Sequence, residues 1–195
     1  MEFSKPTAEE LLQELKEYCL KCNKCPLREG CKQVVFGEGN PEADIMLIGE
    51  GPGAREDELG MPFVGAAGQL LDKILAAIDL KREEVYIANV VKCRPPGNRV
   101  PTRKEAAVCK PYLEAQVAII QPKIVVCMGA SAARYFLDYQ GGITSIRGRW
   151  IEKDGLMVMP TFHPAALLRD ASKKKPAWLD FQKVQERFLK LQNNG

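Results

Sequence analysis

Ile45-Met46-Leu47-Ile48-Gly49-Glu50-Gly51-Pro52-Gly53 passes from a branched apolar run into three glycines and a proline within nine residues. Four apolar residues in succession suit a strand buried on both faces. The glycines and proline then force a turn whose backbone other groups can approach closely. Glu56, Asp57 and Glu58 follow, and the aromatic Phe63 lies between the next two glycines, Gly60 and Gly65. In open α/β sheets, sites are built where strands empty at their C-terminal ends. This loop is therefore read as the floor of an active site.

Working outward, three further segments read as strands: Val85 to Asn89, Ile124 to Met128 and Leu156 to Thr161. Helical patterns separate them. Thr7 with Glu10 forms a capping box ahead of a helix reaching about residue 20. Gln69 to Ile78 is amphipathic, Thr102 caps a helix to Ile120, Gly129 opens another, and Trp178 to Leu191 closes the chain. Ile143 to Ile151 is expected to include a hairpin strand, and Cys93 to Pro101, with its prolines, no regular structure. Strands alternating with helices predict an α/β fold with a mostly parallel sheet covered on both faces. Parallel strands share one C-terminal edge, so Gly49-Glu50, Asn89, Gly129 and His163 are expected on one rim.

The 195 residues suit a single domain, 1–195, and 46% hydrophobic with 27% charged residues is ordinary for a soluble globular chain. No apolar run has the length of a membrane span, and the opening Met1 to Pro6 does not read as a signal peptide, so a cytoplasmic protein without membrane partners is expected. The net charge of +3 is unevenly spread. The first 60 residues are acidic on balance and the remainder basic, which suits a polyanion such as nucleic acid or simply a solvated surface.

Seven cysteines in a reducing compartment point to a metal site or buried thiols rather than disulfides. Cys22-x2-Cys25 is a metal-binding pair, and Cys93 and Cys109 supply two more thiolates. Four thiolates suit tetrahedral zinc or a [4Fe–4S] cluster. The 15 residues between Cys93 and Cys109 differ from the paired knuckles of a zinc ribbon and favour iron–sulfur. Cys19-x2-Cys22 is a competing pair, Cys31 is open, and Cys127 reads as a buried small hydrophobe.

His163 is the one histidine of the chain. A lone histidine is more often structural, but this one follows a buried-type strand on the rim of the glycine loop, where even neutral imidazole can donate to developing negative charge. Asn89 ends a strand with an acceptor and two donors, enough to read the polar edge of a base, although asparagine also favours turns. Phe63 is core packing or a stacking surface for a planar ligand. Gly49-x-Gly51-x-x-Ala54 formally matches a dinucleotide fingerprint. Pro52 within it, the acidic run behind it and the expectation that no helix starts at once all argue against that reading.

Gly49-Glu50-Gly51-Pro52-Gly53, Gly60-Met61-Pro62-Phe63-Val64-Gly65, Asn89 to Pro96 and Phe162-His163-Pro164-Ala165-Ala166-Leu167-Leu168-Arg169 resemble the motifs of the uracil-DNA glycosylase superfamily. The closest likeness is to family 4, the thermostable iron–sulfur uracil-DNA glycosylases. The resemblance runs from about residue 19 to 191, and Cys22, Cys25, Cys93 and Cys109 look like that family's structural [4Fe–4S] ligands. It implies a three-layer α/β/α sandwich with a central four-stranded, largely parallel sheet. The implied partner is uracil-containing DNA, single or double stranded, acted on by a monomer. Uracil would be flipped from the DNA and its glycosidic bond hydrolysed, leaving an abasic site for base excision repair.

The implied substrate-binding residues are Gly51, Glu56, Phe63, Asn89 and His163. Phe63 would stack on uracil, Asn89 would read its edge, Glu56 would sit beside C5, and His163 would stabilise charge on O2. Leu167 and Leu168 would wedge the duplex, while Arg169 and the amides from Gly129 to Ser131 would hold phosphates. Family 1 relatives carry an aspartate where this chain has Gly51, so Glu50 is the nearest carboxylate for activating water. The rival expectations are a related glycosylase for hypoxanthine or another deaminated base, and a non-catalytic metal-stabilised nucleic-acid-binding module.

Overall fold

A computed structural model describes residues 5–193; the outermost positions of the expected 1–195 domain, including most of the Met1 to Pro6 segment, lie outside the described residues. Helix α1 (Ala8–Leu20) starts at the expected capping box, with Thr7 Oγ1 accepting from the Glu10 amide. Then come α2 (Leu27–Gly30), β1 (Glu38–Gly39), β2 (Ile45–Gly49), α3 (Ala54–Leu59), α4 (Ala66–Ala76) and β3 (Tyr86–Asn89). The central part holds α5 (Arg103–Ile120), β4 (Ile124–Met128), α6 (Ala130–Phe136) and α7 (Ile143–Ile146). The chain continues through β5 (Ile151–Lys153), β6 (Leu156–Thr161), α8 (Pro164–Arg169) and α9 (Lys174–Asn193).

The sheet has six strands in the order β1-β3-β2-β4-β6-β5, rather than the expected four. The four expected strands form its parallel centre, β3-β2-β4-β6. The other two are short antiparallel edges, β1 on β3 and β5 on β6. Two- and three-residue strands carry no hydrophobic period of their own, which is why the sequence pattern did not mark β1. Ile143 to Ile146, expected near a hairpin strand, is a helical turn, and the hairpin begins only at Ile151.

Alternation along the strands divides the core into two layers. Met46, Ile48, Ala88, Val125 and Cys127 face Ala106, Leu113, Ala133 and Phe136 of α5 and α6. Ile45, Leu47, Ile87, Val126 and Met128 face Leu71 and Leu75 of α4 and Phe181 and Val184 of α9. The result is a three-layer α/β/α arrangement. α9 is anchored by Asp180, which is 1% exposed and bonded to Arg147 and to Thr161 Oγ1 at the end of β6.

From β2 the chain moves to β3 on one side, and from β4 it moves to β6 on the other. The connections leaving β2 and β4 therefore diverge, opening a crevice at the C-terminal ends of these neighbouring strands. No helix among the described residues is long and apolar enough to cross a membrane.

Candidate active site

A cavity of about 490 Å³ occupies that crevice, lined by Glu50, Gly51, Glu56, Phe63, Asn89 and His163, and bordered by Ser131, Arg99, Arg169 and Lys173. The four polar strand ends do converge on one rim. Backbone without side chains makes this possible. A Cβ on Gly49 would stand 2.4 Å from Asn89 Oδ1 and 2.6 Å from Phe63 Cζ, so the amide and the ring meet over bare main chain. Gly129, with φ 94°, similarly lets the end of β4 approach His163, whose Cβ would be 3.0 Å from an added methyl.

Asn89 is 1% exposed, and its Oδ1 is a buried acceptor with no partner. Such an atom forfeits a water hydrogen bond without replacement, so it is primed for a ligand N–H. Phe63 sits in the left-handed region at φ 52°. That conformation is costly for an aromatic residue, by about 1–3 kcal/mol. Both flanks hold it there. Arg82 donates to Phe63 O at 3.1 Å and also to Pro62 O. Glu56 Oε1 accepts from the amides of Val64 at 2.9 Å and Gly65 at 2.8 Å. The ring lies 5.4 Å from the His163 ring, centroid to centroid, at 31°.

His163 caps α8, with Nδ1 accepting from the Ala165 amide at 3.1 Å and Pro164 in the first helical position, where a missing N–H costs nothing. The bond fixes Nδ1 as the acceptor, so the neutral ring carries its proton on Nε2. Desolvation in the cleft first, and the Arg169 guanidinium second, hold its pKa down to about 4, with Glu56 opposing. The ring is therefore a neutral donor at physiological pH.

Glu50 follows β2, and its carboxylate accepts from the hydroxyl of Ser131, a residue 5% exposed on α6. The Ser131 side chain thus reaches Glu50, while the phosphate role expected of this segment rests on its backbone amides, from Gly129 to Ser131. Glu56 also has work beyond the pocket wall: Oε2 accepts from Gly53 N at 3.1 Å and caps α3. That helix starts at Ala54, directly after the glycine loop, contrary to expectation. Glu56 occupies its N-terminus, so a pyrophosphate there would meet a carboxylate. Of the two leucines expected to wedge the duplex, the structure exposes Leu168 and buries Leu167. Leu167 is 2% exposed and packed with Phe162 and Ala177, whereas Leu168 is 51% exposed. On a short helix, adjacent residues point about 100° apart, so the two cannot share one face.

The cysteines gather away from the cavity. Cys93 and Cys109 are buried, and Cys22 and Cys25 pack against the same apolar cluster. Cys93 is influenced by Cys31, Cys109 and Cys25, and Cys109 by Cys25 and Cys22. Burial, then the neighbouring thiols, pushes Cys93 up, and burial likewise raises Cys109. Cys19, in the same cluster, is pushed up to about 12, again chiefly by burial. Among the described residues no three metal-ligating side chains converge on a point as a single ion requires. The donor set nonetheless fits a thiolate-binding group, because crowded, buried thiols give up protons only to a strongly cationic one.

Comparison with known proteins agrees with this geometry. The sequence model of the uracil DNA glycosylase superfamily matches residues 36–183. The chain belongs to the uracil DNA glycosylase superfamily. Within it, a type-4 uracil-DNA glycosylase of Thermotoga maritima is 49% identical over 168 residues, covering 85% of this chain and 88% of that protein. One from Sulfurisphaera tokodaii is 44% identical over 184 residues, covering 90% and 84%. A crystal structure of SMUG2 from Pedobacter heparinus, at 12% identity, matches with a TM-score of 0.51 over 78% of this chain and 77% of that one, a likeness of fold.

Several residues around the site escaped the sequence reading. Arg82, which clamps the Phe63 loop, gave no local signal. Arg99, paired with Glu105 at 2.7 Å on the cavity border, lay in the proline-rich segment set aside as irregular. Lys92 did leave a trace, as a charge inside the otherwise apolar run Val90-Val91-Lys92-Cys93.

Proposed function

We propose that this protein is a DNA repair glycosylase that flips uracil out of DNA and hydrolyses its N-glycosidic bond, leaving an abasic site. The carrying observation is the buried, unpartnered Oδ1 of Asn89 beside a neutral, Nε2-protonated His163. In the flipped state the Asn89 amide would accept from uracil N3–H and donate to O4. Cytosine reverses that pattern, leaving buried groups unpaired. Phe63, fixed from both flanks, would stack on the ring.

As the bond from C1′ to N1 breaks, its electron pair passes to the base, and negative charge gathers on O2, where His163 Nε2–H would donate. Donors placed where charge develops are the largest common contribution to such catalysis. Glu50, oriented by Ser131, would align the water whose oxygen bonds to C1′ and accept its proton. Leu168 is the residue presented for filling the gap in the stack, and Arg169 for holding a phosphate. Cys22, Cys25, Cys93 and Cys109 would hold a [4Fe–4S] cluster, a structural tie between the N-terminal segment and the loop after β3. The protein would act as one domain and as a monomer.

Base release from matched oligonucleotides carrying uracil, hypoxanthine or thymine, with alkali cleavage of abasic sites, tests this reading. Release of uracil alone is the expected result. Release of hypoxanthine would retain the mechanism and change the specificity. Binding without release would withdraw the catalytic roles and favour a nucleic-acid-binding module. Glu50→Gln with full single-turnover cleavage in a folded, iron-loaded protein would remove Glu50 from its role.

A further inference from the structure

The roles above leave one buried cation unused. Lys92 follows β3 by three residues and is 1% exposed. Its ammonium donates to the main-chain oxygen of Asn89 at 3.0 Å and to Gln116 Oε1 at 2.6 Å. Both partners are neutral oxygens, and the Phe36 ring lies 5.9 Å from the charge. Gln116, on α5, is itself fixed, with Nε2 donating to Phe36 O at 2.9 Å and to Tyr86 Oη at 3.2 Å. An ammonium so buried pays heavy desolvation, and an apolar side chain of the same volume would serve packing as well or better. Cys19 and Cys109 lie close enough to favour its charged form, yet its two hydrogen bonds run to the Asn89 carbonyl and to Gln116.

The Asn89 side chain gives that arrangement a use. Its Oδ1 has no hydrogen bond among the described residues, so that end of the amide is aimed by packing and by the main chain. The main chain is held through the parallel register with Gly49 and the bond from Val90 N to Gly49 O at 3.0 Å. The third hold is Lys92 on the carbonyl, at the end of the strand. A charged donor makes a stronger hydrogen bond than a neutral one and fixes the plane of the peptide that follows Asn89.

We infer that Lys92, braced by Gln116, is a positioning residue for base recognition: it locks the Asn89 peptide so that the side-chain amide meets the flipped base already oriented. The inference rests on the reading of Asn89 as the group that recognises uracil. Preorganisation of this kind acts on binding of the base and on the chemical step, and not on contacts with the DNA backbone.

Lys92→Met keeps the length and loses the charge. Measured at equal iron content and well below the melting temperature, it should weaken free-uracil binding and slow single-turnover release by about tenfold. Affinity for abasic DNA, which lacks the base, should stay within about twofold. Gln116→Leu removes the brace and keeps the ammonium, and should move the same quantities the same way by about threefold. It decides the matter should Lys92→Met fail to fold. Unchanged uracil affinity and release in the folded variants would overturn the inference, as would an equal loss of abasic-DNA affinity. A wild-type protein that neither binds nor releases uracil would overturn the reading of the pocket and this inference with it. Normal wild-type activity with unaffected variants would overturn this inference alone.

Discussion

Asn89 and Cys93 are four residues apart, yet they belong to regions built on opposite principles. Around Asn89 the polar groups are already in working states. The histidine has its tautomer fixed by Ala165, the glutamate has its serine, the phenylalanine is pinned from both sides, and a single acceptor is left unpaired. Around Cys93 the thiols crowd one another in a buried setting, burial and the neighbouring thiols making deprotonation harder, with Lys92 opposing at Cys109. The first region is complete enough to select a ligand. The second gains most from a group that takes up the thiolates and ties distant segments together. On the proposed reading, selection and cohesion are divided between the two ends of one short stretch of chain.

The contrast is sharpest if each end is broken separately. His163→Ala with Asn89→Ala should lower single-turnover uracil release by more than roughly 10³-fold, since one such donor alone is worth roughly 10²–10³. Melting should shift little, and a comparable loss of stability would mean that the pocket also carries cohesion. Cys93→Ala should do the reverse, losing iron and lowering the melting temperature by about 10 °C or more. Retained iron and unchanged melting would end the cluster assignment.

Gly49→Ala is a finer probe. Its methyl would collide with Asn89 Oδ1 and the Phe63 ring, and overpacking of this kind costs about 1–3 kcal/mol, so release should slow by about tenfold or more. Cysteine chemistry should be unaffected. The smallest expected effect is on pH. A labelled histidine gives one signal, from the one histidine of the chain, and its titration midpoint should lie near 4. The folded ring binds its proton more weakly than the ordinary value of 6.5, so the unfolded chain takes up the proton first. This group's contribution to stability should therefore be constant above about 6.5 and fall as the pH drops toward about 4. A midpoint near 6.5 would mean that the cleft does not desolvate the ring.

Much of this division was legible in the residues themselves. The parallel centre of the sheet announced itself in Ile45–Gly49 and Ile124–Met128, because strands buried on both faces need uninterrupted apolar runs. The rim followed from topology, since parallel strands must deliver Glu50, Asn89 and His163 to the same edge. Of the sheet's edges, β5 was anticipated only at its first residue, Ile151, and β1 is too short to show a period. The long-range pairings that finish the site were silent: Ser131 with Glu50 is 81 residues apart in sequence, and Arg82 with Phe63 is 19. No local pattern encodes them. Leu167 and Leu168 looked equivalent until helix geometry sent one inward and the other out.

The missing side chain at Gly49 has a consequence for anyone wishing to retune the enzyme. The floor beneath Asn89 and Phe63 is main chain, and main chain cannot be trimmed by substitution. Room for a larger base must then come from the opposite wall, the segment from Pro62 to Gly65. Arg82 and Glu56 grip that wall through its carbonyls and amides, so replacing its side chains leaves its path in place. Altered specificity would have to begin with Arg82, which lies outside the cavity, or with Glu56, which holds the wall's amides as well as lining the pocket.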